Sequence, residues 1–128
     1  MTDSGKRKRL SRIFRVDHRT VIVPMDHGVT NGPIAGLSDM QAIVDKLLEG
    51  EVDAFVLHKG IAQRVNSGNA GLIVHLSGST KWGIDPNMKI QVSSVEEAAR
   101  IGADAVSVHI NLGAETDKEM LRQLGFIS

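Results

Sequence analysis

The chain has 128 residues, 41% of them hydrophobic and 23% charged, the make-up of a soluble globular domain or of part of one. Fifteen basic residues balance fifteen acidic ones, so no overall field points to nucleic acid or to a membrane surface. Cysteine and tyrosine are both absent and aromatics make up only 3%, which excludes disulfides and thiolate chemistry, argues against base-stacking platforms and fits the cytoplasm.

Residues 1–19 read as a polar, basic arm leading into the domain. The block Lys6 to Arg9 is expected to be solvated, because no nucleic-acid-reading module follows it. No apolar run approaches about 18 residues, so neither a signal peptide nor a membrane span is expected. Val21 to Met25 then reads as a short buried strand, ending abruptly in Asp26, His27 and Gly28. Ser38 and Gln41 have the spacing of a capping box, and Met40, Ile43, Val44, Leu47 and Leu48 follow at helical spacing, with Gly50 as a stop.

A second strand is centred on Phe55 to Leu57, and the next stretch leaves room for only a short helix. Leu72 to Leu76 forms a third strand, followed by a longer excursion, KWGIDPNMKIQVS. Ser94 and Glu97 make another capping box before a helix that Gly102 ends. A fourth strand is expected from Ala105 to Ile110, then an amphipathic segment opened by Thr116 and Glu119 and closed by Gly125.

Short apolar strands separated by helices imply parallel strands with crossover connections. Two architectures fit, a doubly wound open sheet or part of a (β/α)8 barrel. No glycine-rich nucleotide fingerprint follows any strand, which counts against the first. In the fourth strand Val106, Val108 and Ile110 alternate with Ala105, Ser107, His109 and Asn111. A face that is small below and polar above, backed by an apolar face, is what a barrel wall requires. The expected fold is α/β, residues 1–128 forming the N-terminal half of a (β/α)8 TIM barrel with about four strands.

Polar residues gather at the strand ends: Asp26 and His27, His58 and Lys59, His75 and Ser77, His109 and Asn111. In parallel α/β folds those ends share one rim, where sites are built. Imidazoles with Asp26 suggest zinc-assisted hydrolysis, although the dense pairs H-x-H and H-E-x-x-H are absent. Schiff-base carbonyl chemistry is the other reading, with Lys59 the only well-placed lysine.

The segments HRTVIVPMDHG, GP, LHKG, LIVHLS and VEEAARIGADAVSVHINLG, in this order, resemble the archaeal-type class I aldolases. That family joins fructose-bisphosphate aldolases with 2-amino-3,7-dideoxy-D-threo-hept-6-ulosonate synthases of an alternative aromatic amino-acid pathway. The wording around VPMDHG and LHKG lies nearer to the synthases. The resemblance runs from about Lys6 to the C-terminus. It implies a sugar-phosphate substrate, a Schiff base and neither metal nor other cofactor, with no nucleic-acid or membrane partner. Asp26 matches the family's acid/base aspartate, and His27, His58, His75, His109 and Asn111 are the candidate substrate-binding residues. For the full-length protein it implies a homo-oligomer.

The family's Schiff-base lysine lies on strand six, its relay tyrosine on strand five and its phosphate loops after strands seven and eight. Lys59 does not match that lysine, so no Schiff-base lysine is expected in this chain and no aldolase activity from it alone. The chain reads as the N-terminal half of an aldolase, either a truncated gene product or an incomplete sequence. The rival of another class is a non-catalytic half-barrel that assembles through its sheet edges.

Overall fold

Short runs of β-branched and apolar residues, each followed by a helical stretch, place four strands side by side. The computed structural model describes residues 3–128. In chain order its elements are α1 (Ser4–Ile13), β1 (Ile22–Pro24), α2 (His27–Asn31), α3 (Met40–Glu49), β2 (Ala54–His58) and α4 (Lys59–Ala62). There follow β3 (Gly71–His75), β4 (Ser77–Gly78), β5 (Ile90–Gln91), α5 (Val95–Ile101), β6 (Ala105–Ser107) and α6 (Asp117–Ile127). Strands β1, β2, β3 and β6 form one parallel sheet in that order. This is the half-barrel that the alternation of Ala105 to Asn111 suggested.

The register explains the two faces. Residues aligned on neighbouring parallel strands point to the same side. Val23, Phe55 and Leu72 form one row, and Leu57, Val74 and Val106 another. Together they make the main core with Val44 of α3, Ala62 of α4 and Ala98 of α5. The alternate rows line the other face: Ile22, Ala54 and Gly71 at the bottom, Pro24, Val56, Ile73 and Ala105 in the middle, and His58, His75 and Ser107 at the top. Polarity thus rises along the inner face toward the strands' C-terminal ends.

The basic block Lys6 to Arg9 is exposed, but on a helix that periodicity did not reveal. Asp3 caps α1 by accepting from the Lys6 amide, and Ile13 at its far end is buried against Ala54 and Ile73. Arg12 reaches buried Asp104 at 2.8 Å. The helix end fits because residue 71 is glycine: a Cβ there would stand 2.7 Å from Ile13 Cγ1 and 3.0 Å from the Arg12 carbonyl oxygen. In this way α1 closes the bottom of the inner face.

Three local expectations need correction. Asp39, not Ser38, caps α3, taking the Ala42 amide, while Gln41 turns to Asp45 and to the backbone of Asn66. Asp caps as well as Ser does, and the one-residue shift frees the Gln41 amide for the loop after α4. Strand β6 stops at Ser107 rather than Ile110, because β3 has ended there and the His109 amide donates instead to the Ser77 hydroxyl. Gly125 lies within α6, which runs on to Ile127, so the glycine is tolerated rather than terminal. The long excursion holds a short strand, β5, paired antiparallel to β4. The capping box of Ser94 and Glu97 forms as expected, and Gly102 ends α5 at φ 92°, a conformation that glycine adopts freely. No helix of the described residues is long and apolar enough to cross a membrane.

Candidate active site

Four side chains meet at the top of the inner face. His58 and His75 are in register on β2 and β3, and Ser107 continues the row on β6. Asp26 follows Pro24 by two residues, where the backbone leaves β1 and turns into α2. Its side chain makes no capping bond to that short helix, which leaves the carboxylate free to face the row. His75 Nε2 lies 3.5 Å from Asp26 Oδ2, and its Nδ1 is 2.7 Å from Ser107 Oγ. A neutral His75 with its proton on Nε2 toward Asp26 accepts the Ser107 hydroxyl at Nδ1. The His58 ring meets His75 edge-on, with centroids 5.3 Å apart and planes at 68°.

Burial sets the electrostatics. Desolvation pushes His58 below its ordinary range, and the Asp26 charge with backbone contacts to Asp26 and His75 pulls back only part of the way. His75 is lowered first by burial, with Asp26 opposing and the charges of His58, His109 and Lys89 adding to the depression. Both imidazoles are therefore held neutral beside a carboxylate near neutral pH. Such a constellation passes protons at a rim without carrying net positive charge.

The remaining sequence candidates stand apart. His27 is exposed at the start of α2 and makes no side-chain hydrogen bond among the described residues. His109 is exposed and pairs with Asn111 at 2.9 Å, and Asn111 in turn donates to the Asn87 carbonyl at 2.7 Å. They form an outer group, joined to the segment after β3 by the His109 amide on Ser77, and the charge of His109 acts on His75. Lys59 turns to the helix layer, where its ammonium lies 2.9 Å from Glu97 of α5. Among the described residues no three His, Asp or Glu side chains stand together as a metal-binding group. An apolar cavity of about 330 Å³ adjoins His58 and is lined by Met25, Val29, Leu37 and Ile61.

Two rim residues escaped the sequence reading. Ser107 showed only as a small residue in the barrel-wall pattern, although it holds the His75 ring. Lys89 gave no local signal, since the pairing of Gly78 with Ile90 is what carries it over the strand ends.

Comparison with known proteins places these features. Residues 20–128 match the model of the DeoC/LacD family aldolases. The chain is 46% identical over 127 residues to 2-amino-3,7-dideoxy-D-threo-hept-6-ulosonate synthase 1 of Archaeoglobus fulgidus, covering 97% of this chain and 48% of the relative. It is 44% identical to the 2-amino-4,5-dihydroxy-6-oxo-7-(phosphonooxy)heptanoate synthase of Streptomyces griseus, covering 94% and 45%. A solved Schiff-base-forming fructose-1,6-bisphosphate aldolase superposes with a TM-score of 0.83 at 29% identity, over 95% of this chain and 51% of that one. The chain spans about half the length of the curated relatives it matches. With the parallel half-barrel and the match over residues 20–128, the chain belongs to the DeoC/LacD aldolase family.

Proposed function

We propose that this chain carries the acid/base half of a class I aldolase or transaldolase acting on sugar phosphates, of the heptulosonate synthase kind. The observation that carries the reading is the Asp26 carboxylate 3.5 Å from a buried His75 on the rim of four parallel strands. Asp26 is the proton acceptor and donor. His75, fixed by Ser107, orients it, and His58 keeps the site dry and neutral beside it. His27, His109 and Asn111 line the approach of the substrate. The Schiff-base lysine belongs to a part of the barrel outside residues 1–128, since Lys59 is paired with Glu97 on the helix side.

The product named for the Streptomyces relative shows what the chemistry would be. A 2-amino-4,5-dihydroxy-6-oxo-7-(phosphonooxy)heptanoate has its ketone two carbons from the C4 hydroxyl, an aldol arrangement. With the C6 carbonyl held as an iminium, a base removes the C4 hydroxyl proton and the C4–C5 bond breaks. Its electrons pass to the iminium nitrogen, leaving an enamine of a three-carbon keto phosphate and a four-carbon amino-acid aldehyde. Asp26 holds the proton in that direction and returns it in synthesis. A fructose-bisphosphate substrate would use the same steps, but the greater identity to the synthases favours the amino-acid aldehyde.

Borohydride trapping tests the reading. With a three-carbon keto phosphate, this chain alone gives no adduct, whereas the protein carrying the rest of the barrel is trapped on a lysine outside residues 1–128. In that protein D26N lowers turnover about a hundredfold or more, the scale of general acid–base catalysis. A stable adduct on Lys59, or full turnover in D26N, would overturn it.

A further inference from the structure

The rim carries a cation that the acid/base chemistry does not use. Lys89 directly precedes β5 and is half-buried. Its backbone amide faces the Met120 sulfur at 3.4 Å, which ties the segment to α6. Its ammonium donates to the Ser79 hydroxyl at 2.6 Å, and that hydroxyl donates to the Pro86 carbonyl at 2.8 Å. The ammonium is thus held in place rather than left to trail in solvent.

No acidic side chain among the described residues lies within 4.0 Å of it. The contrast with the other placed cations is sharp. Lys59 is paired with Glu97, Arg12 with Asp104 and Arg15 with Asp53. The remaining lysines, among the described residues, are exposed and solvated. Half-burying an ammonium without a counter-ion is costly, and a bound anion offsets that cost. Lys89 also stands near enough to His75 for its charge to act on that ring, whose Nε2 faces Asp26. The rim therefore runs from a carboxylate, through a neutral imidazole, to a cation with two unspent N–H donors.

We propose that Lys89, held by Ser79, binds the oxyanion at one end of the substrate, a phosphoryl or carboxylate group, so that the reacting hydroxyl falls at Asp26. The choice of ligand rests on the sugar-phosphate aldolase reading, and the site deepens it. A substrate with an anion at each end would then be gripped on this side of the barrel as well as wherever its other anion is held.

The test follows the imidazole proton resonances of the whole chain during titration with inorganic phosphate and, separately, acetate at constant ionic strength. His75 shifts saturably with at least one anion, and the tighter of the two identifies which end of the substrate Lys89 takes. K89Q weakens that binding about ten- to a hundredfold, the scale of a charge-assisted hydrogen bond. K89R, which keeps the cation, retains most of it, and K81Q, altering an exposed lysine over Trp82, changes nothing. Absence of saturable binding by either anion, or binding by K89Q as tight as in the parent chain, would sink the proposal. Phosphate binding through Lys89 without borohydride trapping of the longer protein leaves the anion site standing and removes the aldolase reading. Trapping with an unchanged KM in K89Q for the substrate that carries the tighter-bound anion does the reverse.

Discussion

Acidification from about pH 7.5 to 5.5 probes the rim directly, because burial holds its two inner histidines below their ordinary range. In the unfolded chain His58 and His75 take up protons near the ordinary value of 6.5. In the folded chain burial holds both lower, and the neighbouring charges of His58, His109 and Lys89 lower His75 further. The native state therefore binds fewer protons than the unfolded state once the pH drops below 6.5. Stability is flat above that value and falls as the pH descends toward the native pKa values.

A histidine with a full proton difference contributes a slope of about 1.4 kcal/mol per pH unit, so two contribute at most about 2.7. Solvent reaches part of both rings and Asp26 favours their charged forms, so a combined slope of about 1 kcal/mol per pH unit is expected. The carboxylates with lowered pKa values act elsewhere. Asp53 is held down by Arg15 and Glu97 by Lys59, so their stabilisation is lost only as pH falls below the ordinary carboxylate range. Urea unfolding at several pH values separates the two phases. A midpoint that stays constant or rises as pH falls through the histidine window would refute the reasoning. So would a slope that survives in the H58Q/H75Q double variant.

Four further substitutions test the packing, three of them at the bottom of the inner face. G71A drives a Cβ into Ile13 and the Arg12 carbonyl and is expected to cost about 1–3 kcal/mol in urea unfolding. G125A, in a helix with nothing within 4 Å of the new methyl group, is expected to gain roughly 0.5–1 kcal/mol instead. D104A removes a carboxylate only 3% exposed that binds both Arg12 and the Leu72 amide, and should cost about 2–4 kcal/mol. R12A should cost less, since that side chain is 59% exposed, and α1 should become open to proteolysis in both variants.

What could be read from the sequence follows from the length of each signal. Phe55 to Leu57 belongs to an apolar run that stops abruptly at His58, so the run marked a strand and put His58 at its end, on the rim. Asp26 and His75 were legible for the same reason. The position of His109 and Asn111 was not, because a single bond from the His109 amide to Ser77 replaces the ladder and ends β6 early. Lys89 depends on an antiparallel contact of two residues with two, too short for any periodic pattern. Helix α1 buries one residue, Ile13, so it shows no stripe.

The two faces of this sheet have different physical status. The helix-covered face buries Phe55, Leu57, Val74 and Leu76 completely and is a finished core. On the inner face Ile13 covers Ala54 and Ile73, but even in the bottom row Ile22 on β1 remains 39% exposed. The edge strands β1 and β6 are three residues long each, which limits the unpaired backbone that a neighbour could extend. Stability is thus concentrated on the helix-covered face, while the Asp26–His75 pair stands on the unfinished one. Closing that face with opposing strands would remove water from both histidines, lower their proton affinity further and strengthen the pull of Lys89 on an anion. The acid-induced slope should accordingly be steeper in the protein that carries the rest of the barrel than in this chain.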